Sequence, residues 1–331
     1  MTDQLERAAA TAGTTPVAAG RRGIFPWGRI LRRLGTGILV LWAAVTAAFF
    51  VLRAIPGSIA DILAGDQNYP GLKEAINAEW GLADPVWLQY LQYLGRLVTG
   101  DLGTSYVQRR PVGDIIAGEV WSTVELALAA LLLGVVLAVA LSVFSLRRGR
   151  VARALISTVE LVFTSVPVFW VGILLLTAFS FTLQWFPVSG ANGWNSLVLP
   201  TITLALPTAG VLGQVLRESM ERTLGEPFVL SVRARGVAPG VVLVRHALKH
   251  ALLPAMTLAG SIVGGLLGGA VITETVFGRP GLGSITLRAV TNKDVPVVLA
   301  VVLFAALIYV VVSTLLDILY TVVDPRLRGT R

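Results

Sequence analysis

The chain has 331 residues, of which 55% are hydrophobic and only 14% are charged, and its formal net charge is +8. About a quarter of the residues of a soluble domain are charged, so this composition excludes an ordinary soluble protein and indicates a chain that crosses a lipid bilayer. The sequence contains no cysteine, which excludes disulfide bonds, thiolate catalysis and cysteine-ligated metal sites.

Residues 1–28 are rich in Ala, Thr, Gly and Arg, a composition that predicts a disordered extension. Together with the apolar segment that follows, the extension resembles a secretory signal. The apolar segment is longer than a typical signal core, however, and VLRAIPGS (residues 51–58) is a poor small-residue cleavage site. We therefore expect the segment to be retained as a span and residues 29–331 to form one membrane domain.

Apolar segments of about 20 helical residues are long enough to cross the hydrocarbon core. The stretch of residues 161–216 contains no charged residue and is too long for one crossing, and QWFPVSGANGWNS (residues 184–196) divides it in two. The predicted spans are residues 34–52, 126–146, 160–183, 197–216, 251–273 and 295–316. The prediction is an all-α membrane protein with six transmembrane helices.

The basic residues predict the orientation of the spans. If the N-terminus is inside, 19 of the 27 lysines and arginines lie on the inner side. Because basic residues hold loops in the cytoplasm, both termini are predicted to be cytoplasmic. Residues 53–118 then form a large external region and residues 217–250 a cytoplasmic loop. The net positive charge is thus explained by the basic residues that keep the inner loops in the cytoplasm, and no nucleic-acid partner is expected.

Apolar and aromatic residues recur at helical spacing within the external region. They are Trp87, Leu91, Leu94 and Val98, with Tyr90, Tyr93 and Leu97 alongside. This pattern predicts an amphipathic helix at the outer interface or against the bundle. Packing on its own bundle is favoured over a surface that binds a partner.

Patterns for catalysis, metal binding or ion coupling are missing from the sequence. It has no G-x-x-x-x-G-K-[ST] motif, so ATP binding by a P-loop is excluded. His246 and His250 are four residues apart, but their neighbours are Arg245 and Lys249 rather than carboxylates, so no metal site is expected. Ion-coupled carriers place acidic residues at mid-membrane, and the predicted spans hold almost none in their interiors. These observations argue against a stand-alone carrier, channel or enzyme.

The fifth predicted span contains a glycine at every fourth position, namely Gly260, Gly264 and Gly268. Small residues in register allow helix backbones to approach closely in lipid. We predict that these glycines serve helix packing, with a role in lining a pathway as the alternative.

A basic segment, PFVLSVRARGVAPGVVLVRHALKHALLPAM (residues 227–256), interrupts two highly apolar regions. Pro227 is typical of a first helical turn and Gly236 of a helix end, and VAPG (residues 237–240) is typical of a turn. The segment therefore predicts a short helix, a sharp turn and a second helix from residue 241. Mixed basic and apolar helices suit a partner's groove, although a solvated loop that only fixes topology has the same composition.

This segment and its context resemble the cytoplasmic EAA loop of ABC-importer permeases, specifically the dipeptide/oligopeptide/nickel branch. That branch typically reads A-R-A-K-G and then R-H-A-L-x-N-A-L-x-P, and this chain has VRARG (residues 232–236) and RHALKHALLP (residues 245–254). His250 stands where the branch usually has asparagine. Four other family-like signatures are IPG (residues 55–57), GDLGTSY (residues 100–106), ITETVFGRPGLG (residues 272–283) and LDILYTVVDPRLR (residues 316–328).

The resemblance, which covers about residues 29–328, implies a six-helix permease of the type I ABC-importer fold in a prokaryotic inner membrane. It implies a sister permease that completes a heterodimer, two ATPase subunits that bind ATP and Mg, and an extracytoplasmic binding protein. This chain itself would hold no cofactor and no catalytic residue. Peptides are the favoured cargo, with nickel, glutathione or another small solute as alternatives, since specificity is set largely by the binding protein.

The resemblance also implies that the basic segment is the coupling helix that seats in an ATPase subunit. The residues assigned to this role are Phe228, Val232, Arg233, Ala234, Arg235, Gly236, Arg245 and His246.

Overall fold

Helices account for nearly all of the chain that the structure, a computed structural model, describes, namely residues 27–55, 59–64, 69 and 71–323. They are α1 (Trp27–Ala54), α2 (Ile59–Ala64), α3 (Leu72–Glu79), α4 (Val86–Val98), α5 (Val112–Arg148), α6 (Arg150–Ser165), α7 (Val168–Leu175), α8 (Asn195–Leu224), α9 (Pro227–Ala234), α10 (Pro239–Val241), α11 (Leu248–Val276), α12 (Leu282–Thr291) and α13 (Val295–Val323). Two π-helical stretches, Leu176–Thr182 and Val242–Ala247, follow α7 and precede α11.

The chain divides by its contacts into two units, Met1–Ile38 and Leu39–Arg331. The described part of the first unit is the start of α1, and the second unit holds the remaining helices. The predicted disordered extension lies outside the described residues except for its last two, which begin α1. Parts of two signatures, residues 56–57 and 324–328, also lie outside them.

Five helices in the described residues are long and apolar enough to cross a membrane. They are Arg32–Ala54, Val112–Arg148, Asn195–Leu224, Pro239–Val276 and Val295–Leu316. The pair Arg150–Ser165 and Val168–Thr182 makes a sixth if it is counted as one broken span. The predicted all-α membrane fold is confirmed, and the six predicted spans correspond to these five helices and the broken pair.

The third predicted span differs from the structure because residues 160–183 do not form one straight helix. The two helices that contain them, α6 and α7, meet at an angle of 101°. Val166 is extended, with φ −80° and ψ 129°, because the ring of Pro167 disfavours a helical conformation in the residue before it. The helix that carries Glu160 therefore begins at Arg150, in a segment predicted to be a loop.

The second unit is built around α8, which packs against α5, α6 and α11. Glycine occurs where the helices cross, since a Cβ on Gly134 of α5 would lie only 2.7 Å from Cγ2 of Thr208. A helix crossing this close requires a residue without a side chain. Alanines and larger apolar residues fill the adjoining buried cluster, which contains Ala138, Leu212, Leu216, Met220, Leu243, Ala247, Ala251 and Ala255.

The predicted amphipathic helix is α4, and it packs on its own unit. Tyr93, 6% exposed, lies on its inner side. Tyr93 shares a buried cluster with residues of α1 and α13, namely Val45, Phe49, Val295 and Leu299. The opposite side of α4 exposes Trp87, Leu91 and Val98. The helix therefore packs through its tyrosine side and leaves most of the predicted apolar series exposed.

The helices of the second unit have a basic end and a loop end. The basic end holds Arg147 of α5 and Arg217 of α8, together with the connection from α8 to α11. The loop end holds residues 99–111 and 277–294.

Candidate functional site

The connection from α8 to α11 at the basic end forms an elbow (residues 226–247). Pro227 lies in the first turn of α9, as predicted, and the chain leaves this helix at Gly236, whose φ is +78°. Residues other than glycine adopt this backbone conformation at a cost. Helical structure resumes at Pro239, two residues before the predicted position. The predicted helix, sharp turn and second helix are confirmed.

The inner side of the elbow is closely packed against the spans. Val229 of α9 is 1% exposed and Val242 is fully buried. Arg147, at the end of α5, reaches the turn, since its Nη2 lies 3.1 Å from the position that a Cβ on Gly240 would take. Leu243 and Ala247 of the elbow share a buried cluster with residues of α5, α8 and α11, so the elbow is closely packed against all three helices.

The outer side of the elbow exposes apolar side chains. Phe228 is 38% exposed and Leu230 is 69% exposed, and Val241 and Val244 are also exposed. The sequence analysis identified Phe228 and Val232, of which Val232 is half-buried. It missed the other three because helical spacing does not show which apolar residues of a short helix face the spans.

Basic side chains surround this apolar surface. The exposed members of the predicted set are Phe228, Arg233, Ala234, Arg235, Gly236 and Arg245. His246 is half-buried, and the ring of His250 lies against that of Phe228 with centroids 5.6 Å apart. The structure thus places all eight predicted residues on one elbow. In the described residues, no three or more His, Asp or Glu side chains are grouped to hold a metal ion.

A buried carboxylate organises the loop end. Glu274 of α11 is fully buried, and its Oε1 accepts a hydrogen bond from Oγ1 of Thr123 at 2.5 Å. Its Oε2 accepts one from the backbone N–H of Ser284 at 3.0 Å, and Thr123 Oγ1 accepts one from the N–H of Leu282 at 2.8 Å. The first N–H groups of a helix have no partner within the helix. This clasp (Thr123, Glu274, Leu282 and Ser284) satisfies two of them in α12 and joins α5, α11 and α12.

Glycines and an ion pair hold the clasp in place. A Cβ on Gly281 would lie 2.3 Å from Cδ of Glu274, so a side chain there would displace the carboxylate. In the same loop, Arg279 is almost fully buried, and its Nη2 lies 2.9 Å from Oε2 of Glu125 on α5. The signature ITETVFGRPGLG therefore has a structural role, because its residues join α5, α11 and α12 at the loop end.

Replacing Thr123 by valine is expected to lower the thermal stability of the purified protein. The shape is nearly unchanged, but one carboxylate oxygen and one backbone N–H lose a buried partner, at a cost of about 1–3 kcal/mol each. Thermal unfolding in detergent should show a midpoint lower by several degrees. Thr275→Val is the matched control, because among the described residues the hydroxyl of this exposed threonine bonds only within its own helix, to Val271 O. Equal midpoints for both variants would contradict the role of the clasp.

A second buried carboxylate fixes the loop that carries the signature GDLGTSY. Asp294, 2% exposed, accepts hydrogen bonds from the hydroxyl of Ser105 and from the backbone N–H of Tyr106, the latter at 3.0 Å. These bonds attach the loop before α5 to the start of α13.

An acidic residue is also buried at the basic end. Glu160 of α6 is fully buried, and its Oε2 accepts bonds from Arg217 of α8 at 2.8 Å (Nη2) and 3.2 Å (Nε). Glycine again permits the approach, since a Cβ on Gly213 would lie 2.8 Å from Oε1 of Glu160. A buried charge persists only when it is paired, so this ion pair joins α6 to α8.

Sequence reasoning assigned no partner to Glu274, Asp294 or Glu160. Their position beside or within long apolar segments was a usable signal, because acidic groups there must be satisfied by protein. Their partners lie far away in sequence, however, and the spacing of residues does not identify them.

The predicted packing glycines of α11 lie in different surroundings. A Cβ on Gly260 would lie 3.3 Å from Leu316, and one on Gly264 would lie 3.8 Å from Tyr309, so both face α13. A Cβ on Gly268 would meet no described atom within 4 Å. The packing role of Gly260, Gly264 and Gly268 stays a prediction.

Comparison with protein families matches residues 130–329 to the binding-protein-dependent transport system inner membrane component, and residues 28–127 to the N-terminal part of such membrane components. A probable peptide ABC transporter permease protein of Sinorhizobium fredii is 33% identical over 309 residues, which cover 90% of this chain and 98% of the relative. A putative peptide transport system permease protein of Brucella abortus is 35% identical with the same coverage. The glutathione transport system permease protein of Escherichia coli is 32% identical over 300 residues, again covering 90% and 98%.

Among solved structures, a chain of the inward-facing MetNI methionine ABC transporter superposes with a TM-score of 0.54 and 16% identity. The match covers 63% of this chain and 96% of that chain. A second crystal form of the same transporter gives a TM-score of 0.52 and 17% identity, with the same coverage. At this identity, the likeness shows a shared fold.

Proposed function

This chain belongs to the family of binding-protein-dependent transport system inner membrane components and has the fold of an ABC-importer permease, and on that premise we propose that it is a subunit of an ATP-driven peptide importer. The observation that carries the peptide assignment is the match of nearly the whole chain to relatives named as peptide permeases. Membership of the family implies ATPase and substrate-binding partners. The permease subunit itself forms part of the translocation pathway and does not hydrolyse ATP.

The cargo is assigned to peptides rather than to nickel or another small solute. The relatives named for peptide transport support this choice, and the relative named for glutathione transport is compatible with it, because glutathione is itself a tripeptide. Glutathione is therefore the second candidate.

The elbow is proposed to couple this subunit to its ATPase. Its exposed apolar side chains, Phe228 and Leu230, suit a groove in a partner, and Arg233 and Arg235 suit an acidic rim. Its packed inner side gives a stiff connection to the spans. ATP-driven closure of two ATPase subunits would carry the elbow with it and move the spans between inward-open and outward-open states, a rigid-body transition.

The arrangement proposed around this chain has a sister permease beside it, two ATPase subunits beneath it and a binding protein outside it. Both termini and the basic end face the cytoplasm, in accord with the excess of basic residues there. The loop end faces outwards and receives the binding protein. ATP and Mg bind to the ATPase subunits.

The assignment is tested by purifying the tagged chain from its native membrane and identifying the co-purifying subunits by mass spectrometry. The accompanying binding protein is then titrated by calorimetry with defined dipeptides and oligopeptides, with glutathione and with Ni²⁺. Peptide binding together with ATPase subunits in the complex supports the proposal. Binding of Ni²⁺ alone would overturn the assignment of peptides as the cargo. Transport by the isolated chain without an ATPase would overturn its assignment as a subunit of an ATP-driven importer.

Replacing Gly236 by valine is expected to impair coupling, because a β-branched residue at φ +78° is strained by about 1–2 kcal/mol or more and will deform the turn. The space around Gly236 is open, with nothing within 4 Å of a Cβ, so the effect comes from the backbone and not from a clash. Uptake should fall several-fold in reconstituted vesicles. Gly225→Val is the matched control, since this glycine lies in the same connection with φ −83°. Normal stimulation of the ATPase by loaded binding protein in Gly236→Val would count against the prediction.

A further inference from the structure

A cavity of about 160 Å³ lies between α1, α4, the loop before α5 and the start of α13. Its polar lining comes from Arg53, Tyr93, Arg96, Asp101 and Tyr106. Phe49, Tyr93, Val295 and Leu299, which pack together between α1, α4 and α13, also line it.

Two guanidinium groups face the cavity from different helices. Arg53, at the end of α1, is held by a hydrogen bond to Oε1 of Gln89 and lies over the ring of Phe49 at 4.5 Å. Its Nε is buried and has no hydrogen-bond partner among the described residues. The second guanidinium belongs to Arg96 of α4, whose Nη1 lies 3.6 Å from the position of a Cβ on Gly103. A buried N–H without such a partner calls for an explanation, and a bound group that accepts its hydrogen bond would supply one.

Two tyrosines add neutral donors. Tyr93 is 6% exposed, and its hydroxyl also has no hydrogen-bond partner in the part of the chain that the structure describes. Burial raises the pKa of Tyr93 to about 12, and burial raises the pKa of Tyr106 as well, so both hydroxyls remain protonated near neutral pH. The one carboxylate of the lining is that of Asp101, whose Oδ1 accepts the N–H of Gly103 at 2.8 Å. The lining therefore carries two positive charges against one negative charge and presents several donors.

The depth of the cavity indicates which anion reaches it. The candidate span Arg32–Ala54 ends beside Arg53, so the cavity lies where a span leaves the hydrocarbon core. Tyrosine and tryptophan are typical of this level, and Trp80, Tyr93 and Tyr106 all line the cavity. The phosphate groups of phospholipids lie at the same level.

We propose that this cavity binds a phosphate-type oxyanion through Arg53, Arg96 and Tyr93, supplied either by the head group of a membrane phospholipid or by free phosphate. The chemistry is the same for both sources, since guanidinium groups and hydroxyls donate to phosphate oxygens. An adjoining cavity of about 380 Å³ shares Arg53, Gln89 and Val295 and is otherwise lined mainly by apolar side chains, among them Leu52, Val86 and Val298. This neighbour favours the phospholipid, because it accommodates hydrocarbon beside the charged group.

The test uses the complete transporter, purified in detergent and washed extensively. Phospholipid that remains bound is extracted and counted per complex by mass spectrometry, for the natural chain and for Arg53→Gln, Arg96→Gln and Tyr93→Phe. Loss of one charged donor should weaken retention about tenfold. The phenylalanine variant keeps the ring packing and removes only the hydroxyl, so a reduced retention there cannot be attributed to misfolding. Arg288→Gln is the matched control, since this exposed arginine lies on α12 away from the cavity.

A second arm distinguishes the two sources. The delipidated transporter is titrated with inorganic phosphate by calorimetry at constant ionic strength, with chloride as the reference anion. Retained phospholipid without phosphate binding assigns the site to a head group, and phosphate binding without retained phospholipid assigns it to the free anion. If the natural chain shows neither, or if Arg53→Gln, Arg96→Gln and Tyr93→Phe all behave like Arg288→Gln, the proposal is overturned.

Discussion

Replacing both Arg233 and Arg235 by glutamate is expected to reduce peptide uptake by more than tenfold while leaving the amount of membrane-inserted chain unchanged. Both side chains are exposed on the outer side of the elbow, so the substitution removes no internal contact of the described chain. In the proposed complex they meet an acidic rim, where reversing a charge costs several kcal/mol through like-charge repulsion. The measurements are uptake of labelled peptide and ATP hydrolysis in reconstituted vesicles.

The matched control reverses Arg148 and Arg150, two exposed arginines at the junction of α5 and α6 near the same end. It changes the charge of the basic end by the same amount and should retain uptake. Because the chain has no cysteine, a single cysteine introduced at Gly225 can report orientation with a membrane-impermeant reagent in every variant. Equal loss of uptake in both double variants, or labelling of this cysteine from outside, would contradict the coupling role of the elbow.

Replacing Gly283 by alanine is expected to cause the largest loss of stability of any single methyl group added at the loop end. The new Cβ would lie 2.4 Å from Cα and 2.8 Å from N of Val271, which are backbone atoms of α11. Backbone inside a packed helix cannot move aside as a flexible side chain can, so α12 must shift. The hydrogen bonds that Leu282 and Ser284 donate to Thr123 and Glu274 will then lengthen. Overpacking of this kind costs about 1–3 kcal/mol, and each weakened buried hydrogen bond adds about 1 kcal/mol.

Thermal unfolding of the purified protein should show the effect as a midpoint lower by several degrees and a reduced yield from membranes. Gly268→Ala is the control, because it adds the same methyl group to α11 where no described atom lies within 4 Å. Alanine is also favoured over glycine in a helix by about 1 kcal/mol, so this variant should be unchanged or slightly stabilised. Equal stability of the two variants would refute the close approach of α12 to α11. Loss of the assembled complex in Gly268→Ala alone would instead indicate that Gly268 packs against a neighbouring chain.

Features of the fold that depend on a short stretch of residues could be predicted from the sequence. Apolar length predicts the spans, since a helix must satisfy its backbone within the hydrocarbon core. Pro227 and Gly236 predict the start and the end of α9, because each restricts or permits a particular backbone conformation. The break between α6 and α7 also has a local cause, since Pro167 restricts the backbone of the residue before it. It could have been predicted from the proline, but residues 161–183 contain no charged residue and were therefore assigned to one span.

The composition and periodicity of the sequence therefore determined that this protein is an all-α membrane protein with a basic elbow between its fourth and fifth spans. Only the tertiary structure decided which faces are buried and which acidic groups are paired. Thr123 and Glu274 are 151 residues apart, and Ser105 and Asp294 are 189 apart. Such pairs form because helices that pack together leave buried carboxylates no other donor, and that geometry depends on how the whole chain is arranged rather than on any local pattern.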